Sequence, residues 1–411
     1  MKEHIILTMS KKEISRYDVI KRLIRKEING TKAAELIKIS IRHAKRLKAA
    51  VKKKGAKGLI HGNRGKKGNR GLPAEEHKQI ADLLKEKYYD FGPTFAAEKL
   101  SEDHQIKHDP KTIRAIMIEN DLWKPKSKLK GSFHRSWRQR RSNFGEMEQF
   151  DGSYHDWLEG RGPKYCLLLS VDDATGEITD GYFDQHEGVF PVFNFWLNYL
   201  TKHGKPRSIY MDKFSTYKMN QKVAVENHDL KTQFQRALEQ LQIEPIFANS
   251  PQAKGRIEKM FKTLQDRLVK ELRLHNISAI EEANRYLKKQ FIPAFNRKFG
   301  IKPAGDANLH GILSAKELLE LPSIFSRQTK RSVQNDFTVS FNNQWYQLTK
   351  YQPVTVCKRD RIIVEEHLDG SIKIRLRGKY LNFESIAKNI RVLKKSIPWV
   401  LAASPMPRSN S

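Results

Sequence analysis

Residues 250–268 read SPQAKGRIEKMFKTLQDRL. Ser250 is a good N-cap and Pro251 suits the first helical position, so the segment opens a long helix that runs to about Leu274. Ile257, Phe261, Leu264 and Leu268 recur at helical spacing and form its buried stripe. Glu258 sits beside that stripe, with Lys254 and Lys262 one turn away on either side. A carboxylate there borders the apolar core without belonging to it, and the two lysines would hold an anionic backbone near it.

Working upstream, strands and helices alternate from Met147 onward. Met147–Asp151 reads as a short strand ending on an acid. Tyr165–Val171 (YCLLLSV) is a nearly continuous apolar run, as in a buried central strand. Asp172–Gly176 (DDATG) turns it and Glu177–Phe183 returns as its hairpin partner. Glu187–Lys202 reads as a helix, Arg207–Met211 as a strand ending at Asp212, Lys231–Gln240 as a helix and Ile243–Ala248 as a strand. This predicts a mixed α/β domain over residues 145–300.

Asp151 and Asp212 each follow an apolar strand, at the end where an α/β sheet keeps its ligands. Phosphoryl transfer on DNA needs an activated hydroxyl and a stabilised leaving oxygen, and two hard cations about 3.5–4 Å apart supply both. Mg²⁺ prefers carboxylate oxygens and completes its octahedron with water and phosphate. Asp151, Asp212 and Glu258 are suitable donors, but the chain holds 46 acids and chemistry alone would not single these out.

Sequence resemblance does. Residues 145–275 resemble the integrase-type catalytic core shared by retroviral integrases and many bacterial insertion-sequence transposases. EQFDGSYHDWL looks like the first-aspartate strand, IYMDKFSTY like the second-aspartate block, and SPQAKGRIEKMFKTLQDRL like the third-acid helix. Sixty residues separate Asp151 from Asp212, and 45 separate Asp212 from Glu258. The second interval exceeds that of retroviral integrases and implies an inserted loop near Gln221–Asp229. Lys213 stands where asparagine is common, Lys262 matches a basic position of relatives, and Gln265 stands where a second basic residue would be. The His/Cys zinc module that precedes the retroviral core is absent. The full layout is most similar to the ISNCY group of DDE transposases. The resemblance implies an RNase H-like fold, a catalytic and metal-binding triad of Asp151, Asp212 and Glu258, and two Mg²⁺ ions for which Mn²⁺ substitutes. It also implies nicking at the inverted terminal repeats of a mobile element, then attack of the freed 3′-OH on target DNA.

Charge supports a DNA partner. The chain has 77 Lys and Arg against 46 Asp and Glu, a net charge of +31. Residues 1–70 hold 22 basic and 5 acidic residues, whereas 145–300 hold 22 and 21. A basic front joined to a near-neutral middle reads as DNA binding followed by catalysis. Lys11–Arg25, Thr31–Lys38 and Ile41–Lys53 form a helix-turn-helix pattern with Ser40 capping the last helix. Ile41, Ala44, Leu47 and Val51 are expected inward, and Arg42, Lys45 and Arg46 toward DNA. Pro73–Tyr88, Thr94–Ser101 and the helix opened by Asp109-Pro110 form a second unit, with Lys111 and Arg114 as DNA contacts. Between them GLIHGNRGKKGNRG carries Arg64 and Lys67, either as a plain linker or as a phosphate-tracking one. Residues 122–142 hold eight Lys or Arg and no acid, with Trp123, Phe133 and Trp137 interleaved. They are expected to order against the DNA backbone.

Near the C-terminus, FTVSFNNQWYQL turns at Asn342-Asn343, and strands are expected at Val354–Val356, Arg361–Glu365 and Ile372–Leu376. They read as a small β-barrel with a basic surface made by Lys358, Arg359, Arg361, Lys373, Arg375 and Arg377. The expected organisation is thus multidomain: helix-turn-helix unit 1–57, basic Gly-rich linker 58–72, second helix-turn-helix unit 73–123, basic linker 124–144, RNase H-like core 145–300, linker 301–332, β-barrel 333–396 and tail 397–411. Two distant cysteines exclude a disulfide framework or zinc ribbon. No apolar run long enough for a membrane span occurs. A cytoplasmic, nucleoid-associated bacterial protein that forms homo-oligomers on double-stranded DNA is expected. The rival readings are an RNase H-like nuclease without strand transfer and a catalytically inactive helix-turn-helix regulator.

Overall fold

The computed structural model describes residues 8–62, 64, 72–125, 138–212, 233–248, 255–386 and 400–401, with the side chains of Asp212, Ala248, Val400 and Leu401 excepted. The chain divides into two compact units, residues 1–127 and 128–411.

The first unit contains two three-helix groups. Helices α1 (Lys11–Ile24), α2 (Gly30–Leu36) and α3 (Ile41–Lys54) pack around Val19, Ile20, Leu23, Ala33 and Val51. Ser10, Asn29 and Ser40 cap them, each accepting from the backbone amide three residues on. Ala44 and Val51 are buried and Leu47 is partly so, but Ile41, in the first turn of α3, is exposed and stays outside the cluster. Helices α4 (Ala74–Glu86), α5 (Pro93–His104) and α6 (Pro110–Glu119) form the second group. Asp109 caps α6 and Pro110 opens it, with Ile113, Ile116 and Met117 fully inward.

The second unit is built on a five-stranded sheet of order β3-β2-β1-β4-β5. Its strands are β1 (Glu148–His155), β2 (Tyr165–Asp172), β3 (Ile178–Asp184), β4 (Ser208–Asp212) and β5 (Glu244–Ala248). The first three are antiparallel, and β4 and β5 run parallel to β1. This is the arrangement expected of an RNase H-like core. Every residue of β2 is buried, as a central strand covered on both faces requires. Leu167, Leu169 and Val171 meet α9 (Gly255–Leu274), α10 (Ile280–Tyr286) and α11 (Ile292–Phe299) on one face. Cys166 and Leu168 meet α7 (Val189–His203), the helical stretch 233–240 (α8) and α12 (Ala315–Ile324) on the other. The α9 stripe Ile257, Phe261, Leu264 and Leu268 is buried, and each such side chain contributes about 1.5–3 kcal/mol.

Two expectations differ from the structure. Residues 301–332 are not a plain linker. They carry α12, whose Leu321 and Ile324, with Phe325, join the sheet core, and then β6 (Arg327–Ser332). Phe325 meets the Phe193 ring edge-on at 5.4 Å, so this segment is fixed by burial. The C-terminal strands close no barrel among the described residues. They form sheets β12-β11-β10-β6, β13-β8-β7 and β14-β9. The strands are β7 (Thr338–Phe341), β8 (Gln344–Leu348), β9 (Val356–Cys357), β10 (Arg361–Glu366), β11 (Ile372–Leu376), β12 (Lys379–Tyr380), β13 (Phe383–Ile386) and β14 (Val400–Leu401). One apolar cluster including Val339, Phe341, Val364 and Ile374 spans the first two sheets. Asn342 and Asn343 both have positive φ, 47° and 60°, and turn β7 into β8.

Candidate active site

Strand β1 divides its side chains between two faces. Gln149, Asp151 and Ser153 oppose Val171, Leu169 and Leu167 across the antiparallel ladder. Directly opposed residues share a face, and those three apolar residues belong to the cluster under α9. Asp151 therefore stands on the α9 side, half-buried. Phe150 lies in the opposite cluster, with Trp196. The strand runs on to His155, so Asp151 is inside β1 and not at its end as the sequence suggested. The reason is β2, which pairs with β1 along its whole length, whereas the β4 ladder stops at Gln149↔Tyr210.

Asp151 lies two residues beyond Gln149, and Asp212 two residues beyond Tyr210, as the last residue of β4. Each aspartate thus lies the same two residues past the last pair of the parallel β1–β4 ladder.

Glu258 is exposed in the first described turn of α9. Two anchors set this helix along β1. Arg256 Nη1 donates to Asp173 Oδ1 at 2.6 Å, and the same oxygen accepts from Gln149 Nε2 at 2.5 Å. Further along, Gln265 Nε2 donates to Ser153 Oγ at 3.2 Å. Between these anchors the strand advances four residues and the helix nine, each about 13 Å. Helix and strand therefore run side by side in one direction, and the bracketed interval holds Asp151 and Glu258. Gln265 is seven residues after Glu258, two helical turns, so the two residues share one side of α9. Lys262, one turn after Glu258, is exposed. Lys254 falls outside the described residues, as do Lys67, the Gln221–Asp229 insertion and all of the 397–411 tail but Val400–Leu401, which pair with β9. Among the described residues no group of three His, Cys, Asp or Glu could hold a metal, and the Asp212 carboxylate is not among them.

Asp173 is a site residue that the sequence did not mark. Its side chain is fully buried at the end of β2. Besides Gln149 and Arg256 it accepts from Arg138 Nη2 at 2.5 Å and the Arg141 amide at 2.8 Å. Burial would raise its carboxyl, but the Arg141 amide and the Arg138 and Arg256 guanidiniums outweigh that and hold it below the usual range. Its neighbour Asp172 turns the chain, accepting from Gly145 N, Thr175 N and Thr175 Oγ1. Beside this hub opens a cleft of about 540 Å³, walled by Arg140, Arg256, Lys259, Met260, Phe295 and Phe299 among others. Cys166 offers no soft ligand, because burial and the nearby Glu187 and Asp151 carboxylates push its thiol up. Glu148 is wholly buried and accepts from Ser170 Oγ at 2.8 Å and Thr179 Oγ1 at 2.7 Å. Burial and the Asp172 charge raise its carboxyl to about 8, so it is a protonated structural group near neutral pH.

In the first unit Arg42, Lys45 and Arg46 are exposed on α3 at i, i+3 and i+4, a common face. Lys111 and Arg114 are exposed on α6, with Arg114 5.4 Å over the Trp123 ring. Arg64 is committed elsewhere: it pairs with Glu13 at 2.9 Å and donates to the Thr8 carbonyl. Two of the basic C-terminal residues are likewise paired, Arg375 with Glu365 and Arg377 with Asp360.

No family model matches the chain. It is 34% identical over 392 residues to a protein named as a transposase, y4bF of Sinorhizobium fredii, covering 95% of this chain and 85% of that one. It is 29% identical over 404 residues to the transposase for insertion sequence IS1202 of Streptococcus pneumoniae, covering 89% and 85%. Among solved structures, a chain of the simian T-cell lymphotropic virus intasome overlaps 75% of this chain and 99% of its own, at 14% identity. The TM-score there is 0.33, below the level from which a shared fold follows.

Proposed function

The chain belongs to the transposase family, and from that premise we propose that it binds the inverted terminal repeats of a mobile element, nicks their 3′ ends and joins them to target DNA. Asp151, Asp212 and Glu258 are the catalytic acids in this reading. The observation that supports it is the bracketed interval between the Asp173 and Ser153 anchors, with Asp212 on the adjacent parallel strand, two residues past its last pair with β1.

The donor chemistry fits Mg²⁺ or Mn²⁺. Hard carboxylate oxygens line the interval, and the one nearby thiol is held protonated. Asp151, Asp212 and Glu258 would hold the ions. Such a pair, when bound, supplies the Lewis acidity that activates water and then the 3′-OH. Lys262 and Lys254 would hold the scissile backbone against Glu258, and no covalent protein–DNA intermediate is needed.

The eight-part division of the sequence stands in this proposal with three changes: residues 301–326 belong to the core, the C-terminal module begins at β6, and it takes in Val400–Leu401 of the expected tail. Helices α3 and α6 are the DNA-reading helices of two helix-turn-helix units, through Arg42, Lys45, Arg46, Lys111 and Arg114. The protein works on the nucleoid as an oligomer on DNA.

The test is a strand-transfer assay with a 3′-OH oligonucleotide carrying an element end. Joined product supports the proposal. Cleavage without joining would make the chain a nuclease, and binding without cleavage a regulator.

A further inference from the structure

The geometry points to Asp173 as a positioning residue that joins the incoming basic segment to all three elements carrying the proposed acids. The Asp173 carboxylate binds Gln149, Arg138 and Arg256. Arg256 also donates to the Arg138 carbonyl, and the Arg138 guanidinium lies 5.5 Å over the Tyr210 ring. Gln149, Tyr210 and Arg256 stand two positions before Asp151, Asp212 and Glu258 respectively. On the two strands a step of two returns to the same face. On α9 it places the anchor in the turn that carries Glu258.

The consequence is that the segment Arg138–Arg141, the first described residues of the second unit, is a part of the active-site frame. A charge buried as deeply as Asp173 needs its partners, and here one partner comes from the entering segment and another from α9. Docking of the segment and placement of Glu258 therefore depend on the same carboxylate. This rests on the proposal that Glu258 is a catalytic acid, but the coupling itself is independent of catalysis.

The test uses the full chain with Arg138→Gln, Arg256→Gln and Asp173→Asn. Arg138→Gln and Arg256→Gln each leave the carboxylate several donors, so they keep the fold if Asp173→Asn does not. Trypsin cleavage after Arg138, Arg140 and Arg141 reports docking. Single-turnover joining at saturating end DNA reports placement, and the end-DNA concentration dependence reports binding.

Arg256→Gln, a change on α9, is expected to speed trypsin cleavage of the segment at least about fivefold. Arg138→Gln is expected to slow joining at saturating end DNA about tenfold or more, a loss of the size that small misplacements cause. A merely structural Asp173 would leave Arg138→Gln joining at the wild-type rate, and that result overturns the inference. So does unchanged trypsin protection in Arg256→Gln. Wild-type protein inactive in joining would instead sink the transposase reading, while the trypsin comparison would still decide the coupling.

Discussion

Gln149 and Tyr210 are register partners in adjacent parallel strands, and the chain places an aspartate two residues beyond each. Two carboxylates brought close together repel unless cations lie between them, which is the role the proposed metal site gives this pair. Asp151→Asn is expected to lower cleavage and joining at least about a hundredfold, a loss of several kcal/mol of charge stabilisation. Binding to element ends is expected to stay within about twofold, since the proposed DNA-reading residues lie in the first unit. Electrophoretic mobility shift and cleavage assays on one preparation check both. Loss of end binding in Asp151→Asn would mean that recognition and catalysis are not separable.

Recognition has its own signature. Arg42, Lys45 and Arg46 occupy one exposed face of α3. Their joint replacement by alanine is expected to weaken end binding and to flatten its salt dependence. For every phosphate that is no longer neutralised, the slope of log K against log salt becomes shallower by about 0.9. Titrations at several salt concentrations measure this. An unchanged slope would move phosphate binding to another surface. Arg64→Ala, by contrast, should act mainly on the α1 cap, because Arg64 is tied to Glu13.

Buried Glu148 gives a pH prediction. Its folded carboxyl is raised to about 8, far above an unfolded glutamate, so the folded state holds a proton that the unfolded state releases. Its contribution is fully present below about pH 4.3 and is lost as pH rises through about 8. His310, lowered to about 4 by burial and the nearby His203, costs stability only below the unfolded histidine value of about 6.5. Between about pH 6.5 and 8 the melting temperature should therefore fall with rising pH, and Glu148→Gln should flatten that fall. Equal slopes in wild type and variant would show that Glu148 does not titrate as argued.

Much of the second unit was legible because its signals are local and long. The α9 stripe repeats over several turns, and YCLLLSV between two turn signals reads as a strand covered on both faces. Helix α12 was hidden because Pro322 lies inside it, and an internal proline ordinarily breaks a helix. Burial of Leu321, Ile324 and Phe325 overrides that local preference. Asp173 was hidden for a different reason. In DDATG it reads as a turn acid, while its arginine partners lie 35 residues upstream and 83 downstream. No spacing rule reaches across such distances. The barrel expectation failed on pairing, since alternation identifies strands but does not say which edges meet.

Assembly yields the last prediction. Joining two element ends to one target needs two active sites acting together, and each chain carries one proposed triad. The charge distribution sets when chains can meet. The protein carries +31, and residues 122–142 alone hold eight Lys or Arg without an acid. At physiological ionic strength such surfaces repel within a Debye length of about 8 Å, so free chains are held apart. DNA neutralises that charge and brings two chains onto one scaffold. The protein alone is expected to be a monomer or weak dimer, and to form a dimer or larger complex when two end duplexes are supplied. Light scattering with and without end DNA measures the mass directly. The salt dependence should reverse between the two states: added salt promotes self-association of free chains and dissolves the DNA complex. A complex that kept one chain per duplex while still completing paired-end joining would show this account of assembly to be wrong.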